Sequence, residues 1–185
     1  IPILVVSAEA DAKKAYQALA TGALDIISKP GLDHAETTNL LNKIRLLAGV
    51  SVITRLRRSD AALPVHVPAS RSPAALQRNY RHLVAIACST GGPQALAGLL
   101  PRLSRDFPAP VLISQHISDG FVEGMVQWLG TLSALPVKVA EQDEPLRAGQ
   151  IYVSPSESHM TITDSDRIHL IGRQDSDIYR PCCNL

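Results

Sequence analysis

The chain has 185 residues, enough for one large domain or two small ones. Its 18 basic and 17 acidic residues leave a formal net charge of +1, so no chain-wide field draws it to nucleic acid, and aromatics at 4% offer little for base stacking. Three cysteines, two of them adjacent at Cys182 and Cys183, make no disulfide framework and fit a reducing, cytoplasmic setting, and no apolar run nears the roughly 18 residues of a membrane span.

The opening Ile-Pro-Ile-Leu-Val-Val is apolar but short, with no basic n-region, and does not read as a signal peptide. The chain begins without Met inside what reads as a buried strand, and it stops after Arg180-Pro-Cys-Cys-Asn-Leu185 without a helix or polar tail. The expectation is a fragment cut at both ends. Ile3–Val6 is a continuous apolar run, as in a parallel strand buried on both faces, and Ser7 follows it. Ala10–Gly22 has helical spacing, with Ala15, Ala18 and Leu19 opposite Lys13, Lys14 and Gln17, and Gly22 stands where a helix-ending glycine belongs. Leu24–Ser28 predicts a second strand, closed by Lys29-Pro30-Gly31. Helical periodicity resumes near Glu36 and runs through Leu47, with an extension toward Leu56. This is β-α-β-α, the pattern of a parallel sheet with covering helices.

Residues 59–80 change character: alanine, proline, serine and arginine mix without sustained apolar periodicity, which is a linker composition. The division expected is therefore 1–58, a linker at 59–80, and 81–185, with early tryptic cleavage at Arg71 or Arg78. From His82 a second α/β pattern begins. Strands are predicted over His82–Ala87, Pro110–Gln115 and Leu135–Ala140, with helices over Pro93–Leu103 and Phe121–Leu132. Short strands at Ile151–Val153 and Met160–Thr163 follow, the latter pairing with Arg167–Ile171 across Asp164-Ser-Asp166.

The chemistry concentrates at two strand ends. Val-Ala-Ile-Ala-Cys-Ser-Thr-Gly-Gly, residues 84–92, breaks from an apolar strand into small residues, and Pro93 opens a helix. That turn lifts Ser89 or Thr90 to the carboxyl end of a strand and the N-terminus of a helix. Pro110–Gln115 ends its own strand on His116. In an open α/β sheet the carboxyl ends share one edge, where ligands bind, and a hydroxyl beside a base is an activated nucleophile. The same turn also serves as a plain N-cap or a phosphate cradle, and a lone strand-end histidine is ordinary. Cys88 reads as a small core filler, His159 as a structural or substrate-side residue, and Arg55, Arg57 and Arg58 as a solvated helix end. No His, Cys and Asp spacing suits a metal.

These motifs, in this order, resemble the chemotaxis protein-glutamate methylesterase family, two-domain response regulators that remove methyl esters from chemoreceptors. Val84–Gly92 is similar to the family's nucleophile loop, and Ile113-Ser-Gln-His116 with Gly120-Phe121 to its histidine segment. Gly149–Pro155, His159-Met160 and Arg180-Pro181 are similar to later family segments, while Ser7 and Lys29-Pro30 look like the switch hydroxyl and lysine-proline signature of a receiver. The chain departs from the pattern at Ser156, where the family usually has Gly, and at Cys182, Cys183 and Asn184.

The resemblance implies an α/β chain: the second half of a flavodoxin-like receiver, a linker, and the N-terminal part of a doubly wound parallel-sheet methylesterase domain. It implies Ser89 as nucleophile and His116 as base. Thr90, Gly91 and Gly92 would serve oxyanion contact or substrate positioning. In the receiver, Lys29 would touch the phosphoryl oxygens and Ser7 would turn toward them. The family's phosphoacceptor aspartate and divalent-metal cluster would lie upstream of Ile1, and its catalytic aspartate beyond Leu185. Catalysis would need no cofactor. The implied activity is hydrolysis of glutamate methyl esters, with deamidation of glutamines as a second activity of the family, under control of receiver phosphorylation. The implied partners are methylated chemoreceptors and a chemotaxis histidine kinase, with no nucleic acid and no membrane insertion. The rival is a regulator without catalysis, a receiver fused to a degenerate esterase-like binding module.

Overall fold

A computed structural model describes residues 1–8, 12–31, 33–50 and 80–172. The expected linker at 59–79, the helical extension toward Leu56 and the segment from Arg180 to Leu185 lie outside these residues. The first unit is β1 (Leu4–Ser7), α1 (Ala12–Ala20), β2 (Asp25–Ser28) and α2 (His34–Ala48). β1 and β2 pair in parallel, from Leu4↔Asp25 to Ser7↔Ser28.

The second unit runs β3 (Val84–Cys88), α3 (Gly92–Leu99) with a 3-10 turn over Leu100–Arg102, β4 (Val111–Gln115), α4 (Val122–Leu132), β5 (Val137–Val139) and β6 (Ile151–Val153). Its four strands are all parallel in the order β3-β4-β6-β5, so β6 fills the place between β4 and β5. β7 (Ser158–Ile162) and β8 (Ile168–Gly172) close an antiparallel hairpin, as the turn at Asp164–Asp166 predicts.

Strand alternation decides which residues meet which cover, because successive side chains point to opposite faces. Val111 and Ile113 of β4, with Ile151 and Val153 of β6, pack with Leu96, Met125 and Leu129 from α3 and α4. Leu112 and Tyr152, the intervening residues, pack instead with Ile168, Met160 and Leu170 of the hairpin. Among the described residues, then, the sheet carries helices on one face and a β-hairpin on the other. The doubly wound expectation, helices on both faces, does not hold there. The reason is that residues 158–172 alternate with period two and cover the sheet as strands.

The two units share one apolar cluster. Ala15, Tyr16 and Leu19 of α1, with Ile26 of β2, are buried together with Leu96, Phe121, Val122 and Met125. Tyr16 stacks on Trp128 of α4 with ring centroids 5.5 Å apart and donates its hydroxyl to the Phe121 carbonyl at 2.9 Å. Burial, and secondarily the carboxylates of Asp25 and Glu123, push the Tyr16 phenol far above its usual range, so it stays a donor.

Candidate active site at two strand ends

The last paired residues of β3 and β4 are Cys88 and Gln115, and the His116 N–H still donates to the Cys88 carbonyl at 2.9 Å. Ser89 and His116 therefore leave neighbouring parallel strands one step beyond the same register pair. Ser89 is exposed and His116 is half-buried. The sheet thus brings both predicted residues to one edge, because two apolar runs that pair in parallel must end together.

The chain after Ser89 turns tightly: the Gly92 N–H donates to the Ser89 carbonyl at 2.8 Å, and Ala95 N–H returns to Gly91 at 3.0 Å to begin α3. Gly91 caps α3 in the left-handed region, φ 78°, and no side chain caps the helix. The N-cap alternative for Ser89 and Thr90 therefore does not describe this turn. Gly91 is needed for its φ, since an L side chain there costs roughly 1–2 kcal/mol. Gly92 is needed for space, since a Cβ would run into the Gln115 Oε1 atom and lie 2.6 Å from Cys88 Cβ. Thr90, Gly91 and Gly92 stand at the N-terminal end of α3, where backbone N–H groups favour an anion.

His116 has its pKa held below the usual histidine value. Burial is the main cause, the Lys43 ammonium adds to it, and the Asp25 carboxylate opposes both. These two charges come from the first unit. Lys43 on α2 lies 3.1 Å from Asp25 Oδ2 at the start of β2, and Asp25 is only 5% exposed. The end of β2 also reaches the histidine loop, where the Ser28 N–H donates to Ser118 Oγ at 3.5 Å.

Ser7 and Lys29 occupy an analogous pair of ends, with the Lys29 N–H donating to the Ser7 carbonyl at 2.8 Å. Lys29 is exposed, and the Ser7 hydroxyl donates to the Ala8 carbonyl at 3.2 Å. His159 is buried in β7, and Ser156, also buried, donates to Glu157 at 2.6 Å. Among the described residues no three His, Cys, Asp or Glu side chains gather to hold a metal, and no helix is long and apolar enough to cross a membrane.

Two features escape the sequence. The Asp25–Lys43 pair joins a strand to a helix 18 residues on, and nothing local announces it. Gln115 is buried at 1% exposure and gives both of its amide hydrogens to the protein, at 2.9 Å to the Ser89 carbonyl and 2.8 Å to that of His116. Its signal was an amide side chain at the end of a strand that opens Val-Leu-Ile.

The sequence profile of the CheB methylesterase family matches residues 84–185. The chain is 47% identical over 188 residues to a protein-glutamate methylesterase/protein-glutamine glutaminase 3 of Paramagnetospirillum magneticum, covering 100% of this chain and 53% of that protein. It is 42% identical over 187 residues to a protein of the same kind, numbered 2, from Anaeromyxobacter dehalogenans, covering 97% of this chain and 51% of that protein. The protein-glutamate methylesterase FrzG of Myxococcus xanthus is 35% identical over 179 residues, with 94% of this chain and 50% of that protein covered. The chain thus spans about half the length of the curated relatives it matches. Among solved structures, the crystal structure of the Thermotoga maritima CheB methylesterase catalytic domain superposes with a TM-score of 0.50 at 32% identity, over 54% of each chain.

Proposed function

Because the chain belongs to the CheB methylesterase family, we propose that it forms part of a protein-glutamate methylesterase with Ser89 as nucleophile and His116 as base. The observation that supports this most is the departure of both residues from adjacent parallel strands, one step past the Cys88↔Gln115 pair. In this reading Ser89 Oγ attacks the carbonyl carbon of a glutamyl methyl ester while His116 takes the hydroxyl proton. The oxyanion of the tetrahedral intermediate faces the N–H groups of Thr90 and Gly91, the Gly92 N–H being taken by the Ser89 carbonyl. Collapse breaks the C–O bond to methoxide, which leaves as methanol with the proton from His116. Water, deprotonated by His116, then hydrolyses the acyl-serine. A carboxylate steadying His116 would come from beyond Leu185. The same steps on a glutamine side chain expel ammonia, the activity that the glutaminase part of the relatives' names describes.

The substrates in this reading are methylated chemoreceptors. The first unit is a receiver phosphorylated by a histidine kinase on an aspartate outside this sequence, Lys29 touching the phosphoryl oxygens and Ser7 turning toward them, with a divalent cation held by other receiver residues outside this sequence, and the protein works in the cytoplasm. No step above passes through that cation. Control by the receiver is supported by the contacts of α1 and β2 with the helices and loop around His116. The test is methanol release from methylated receptor membranes by the protein expressed from its complete reading frame. Ser89→Ala should lower turnover by about 10⁴-fold or more without unfolding the protein. Wild-type release by that variant would remove Ser89 from the mechanism and favour the binding-module alternative.

A further inference from the structure

We propose that Gln115 is a positioning residue: its buried side-chain amide ties the backbone of Ser89 to that of His116 and so sets the nucleophile and base relative to each other. This rests on the esterase reading above.

β4 is otherwise apolar and buried over Val111–Ile113, and a glutamine there is costly unless its amide is satisfied. Gln115 satisfies half of it. Nε2 donates to one carbonyl from each member of the pair, Ser89 at 2.9 Å and His116 at 2.8 Å. Those two bonds fix the orientation of the amide, since turning it over would set Oε1 against two carbonyl oxygens. The consequence is that Oε1 faces Gly92 and has no hydrogen-bond partner among the described residues. A leucine or methionine would fill the space without that cost. Space filling alone therefore does not account for this residue.

What the amide supplies is a cross-link where the sheet stops. The ladder's last bond is His116 N–H to Cys88, and beyond it the two strands part. The Ser89 carbonyl is then held by the Gly92 N–H and by Gln115, and the His116 carbonyl by Gln115. One side chain thereby spans the divergence at the two residues whose separation governs proton transfer. The glycine at 92 belongs to the same device, because it leaves room for Oε1.

The test uses a fluorophosphonate probe, which reports on the nucleophile without any receptor. Ser89 Oγ bonds phosphorus, the P–F bond breaks, fluoride leaves, and the hydroxyl proton passes to His116. On the protein from its complete reading frame, Gln115→Met and Gln115→Leu should lower the saturating labelling rate by about tenfold to a hundredfold, the scale of an ångström of misplacement. The half-saturating probe concentration should stay as in wild type, while melting falls modestly with the two lost hydrogen bonds and is followed to show that the variants are folded. Wild-type labelling by a folded variant would overturn the proposal. Should neither variant fold, wild-type NMR decides: both Gln115 amide protons should be resolved and slow to exchange, and rapid exchange would overturn it. If the wild-type protein is not labelled at Ser89, judged against Ser89→Ala, the esterase reading falls and takes this role with it.

Discussion

The proton affinity of His116, the base of the proposed mechanism, is set partly by groups that precede it by more than 70 residues. Burial lowers its pKa from 6.5 and the Lys43 ammonium lowers it further, while Asp25 pulls the other way. A lowered pKa means a larger neutral fraction at any given pH, so the base is ready at neutral pH. Burial and the Lys43 ammonium should accordingly hold the acid limb of kcat/KM at lower pH than it would have without them. Lys43→Met removes an ammonium and leaves the Asp25 carboxylate uncompensated. Both changes raise the histidine pKa, so the limb should move to higher pH. Leaving Asp25 alone at 5% exposure also destabilises, on the order of 3–5 kcal/mol for a broken buried pair, so melting is followed alongside. The double variant with Asp25→Asn removes both charges and leaves burial, and its limb should lie below that of Lys43→Met. A limb that Lys43→Met does not move would show that the ammonium is not felt at His116.

α1 owes its place to one face of its sequence. The periodicity predicts Ala15, Ala18 and Leu19 on that face; Ala15 and Leu19 are buried and Ala18 half-buried, and Tyr16, which the spacing does not single out, is buried beside them. Periodicity says that a face is buried, though not against what; here α3 and α4 of the second unit complete it. Tyr16→Phe keeps the stack on Trp128 and removes one of the two bonds to the Phe121 carbonyl, which still accepts the Met125 N–H, so it should cost about 0.5–1.5 kcal/mol in urea unfolding. A cost near zero would mean that the Met125 bond alone satisfies the carbonyl. The same division between local and distant information runs through the fold. Strands and helices of both units were legible because apolar runs, small-residue turns and prolines act within a few residues. That Ser89 and His116 leave neighbouring strand ends was legible because both motifs close apolar runs, and β3 and β4 pair in parallel up to them. Strand order was not, since no residue in Ile151–Val153 states that it will lie between β4 and β5. Nor was the partner of Gln115, since a terminal amide announces a need for acceptors and not where they are. The hairpin was legible from its alternation, but the face it covers depends on Leu112 and Tyr152 pointing away from the helices.

At the scale of the molecule, the shared cluster makes the two units mechanically one. Trp128, the chain's single tryptophan, sits at their junction against Tyr16. Its fluorescence therefore reports the contact between units, whereas far-UV circular dichroism reports helices and strands throughout. The two signals should follow the same urea transition, as in a single cooperative unit. An earlier fluorescence midpoint would mean that the units part before either unfolds.

The late arrival of β6 has a consequence for synthesis on the ribosome. A nascent chain that has emerged only through Val139 carries β4 and β5 with the strand that links them still unmade. β4 can pair with β3 at that stage, but β5 has no hydrogen-bonding neighbour among the described strands until Ile151–Val153 follows. The sheet is consequently completed from its middle, with the central strand threaded last between two already exposed edges. Such open edges are where a growing chain is most apt to pair with the wrong strand. The interval between residues 139 and 153 is the period when this molecule most needs protection from its neighbours.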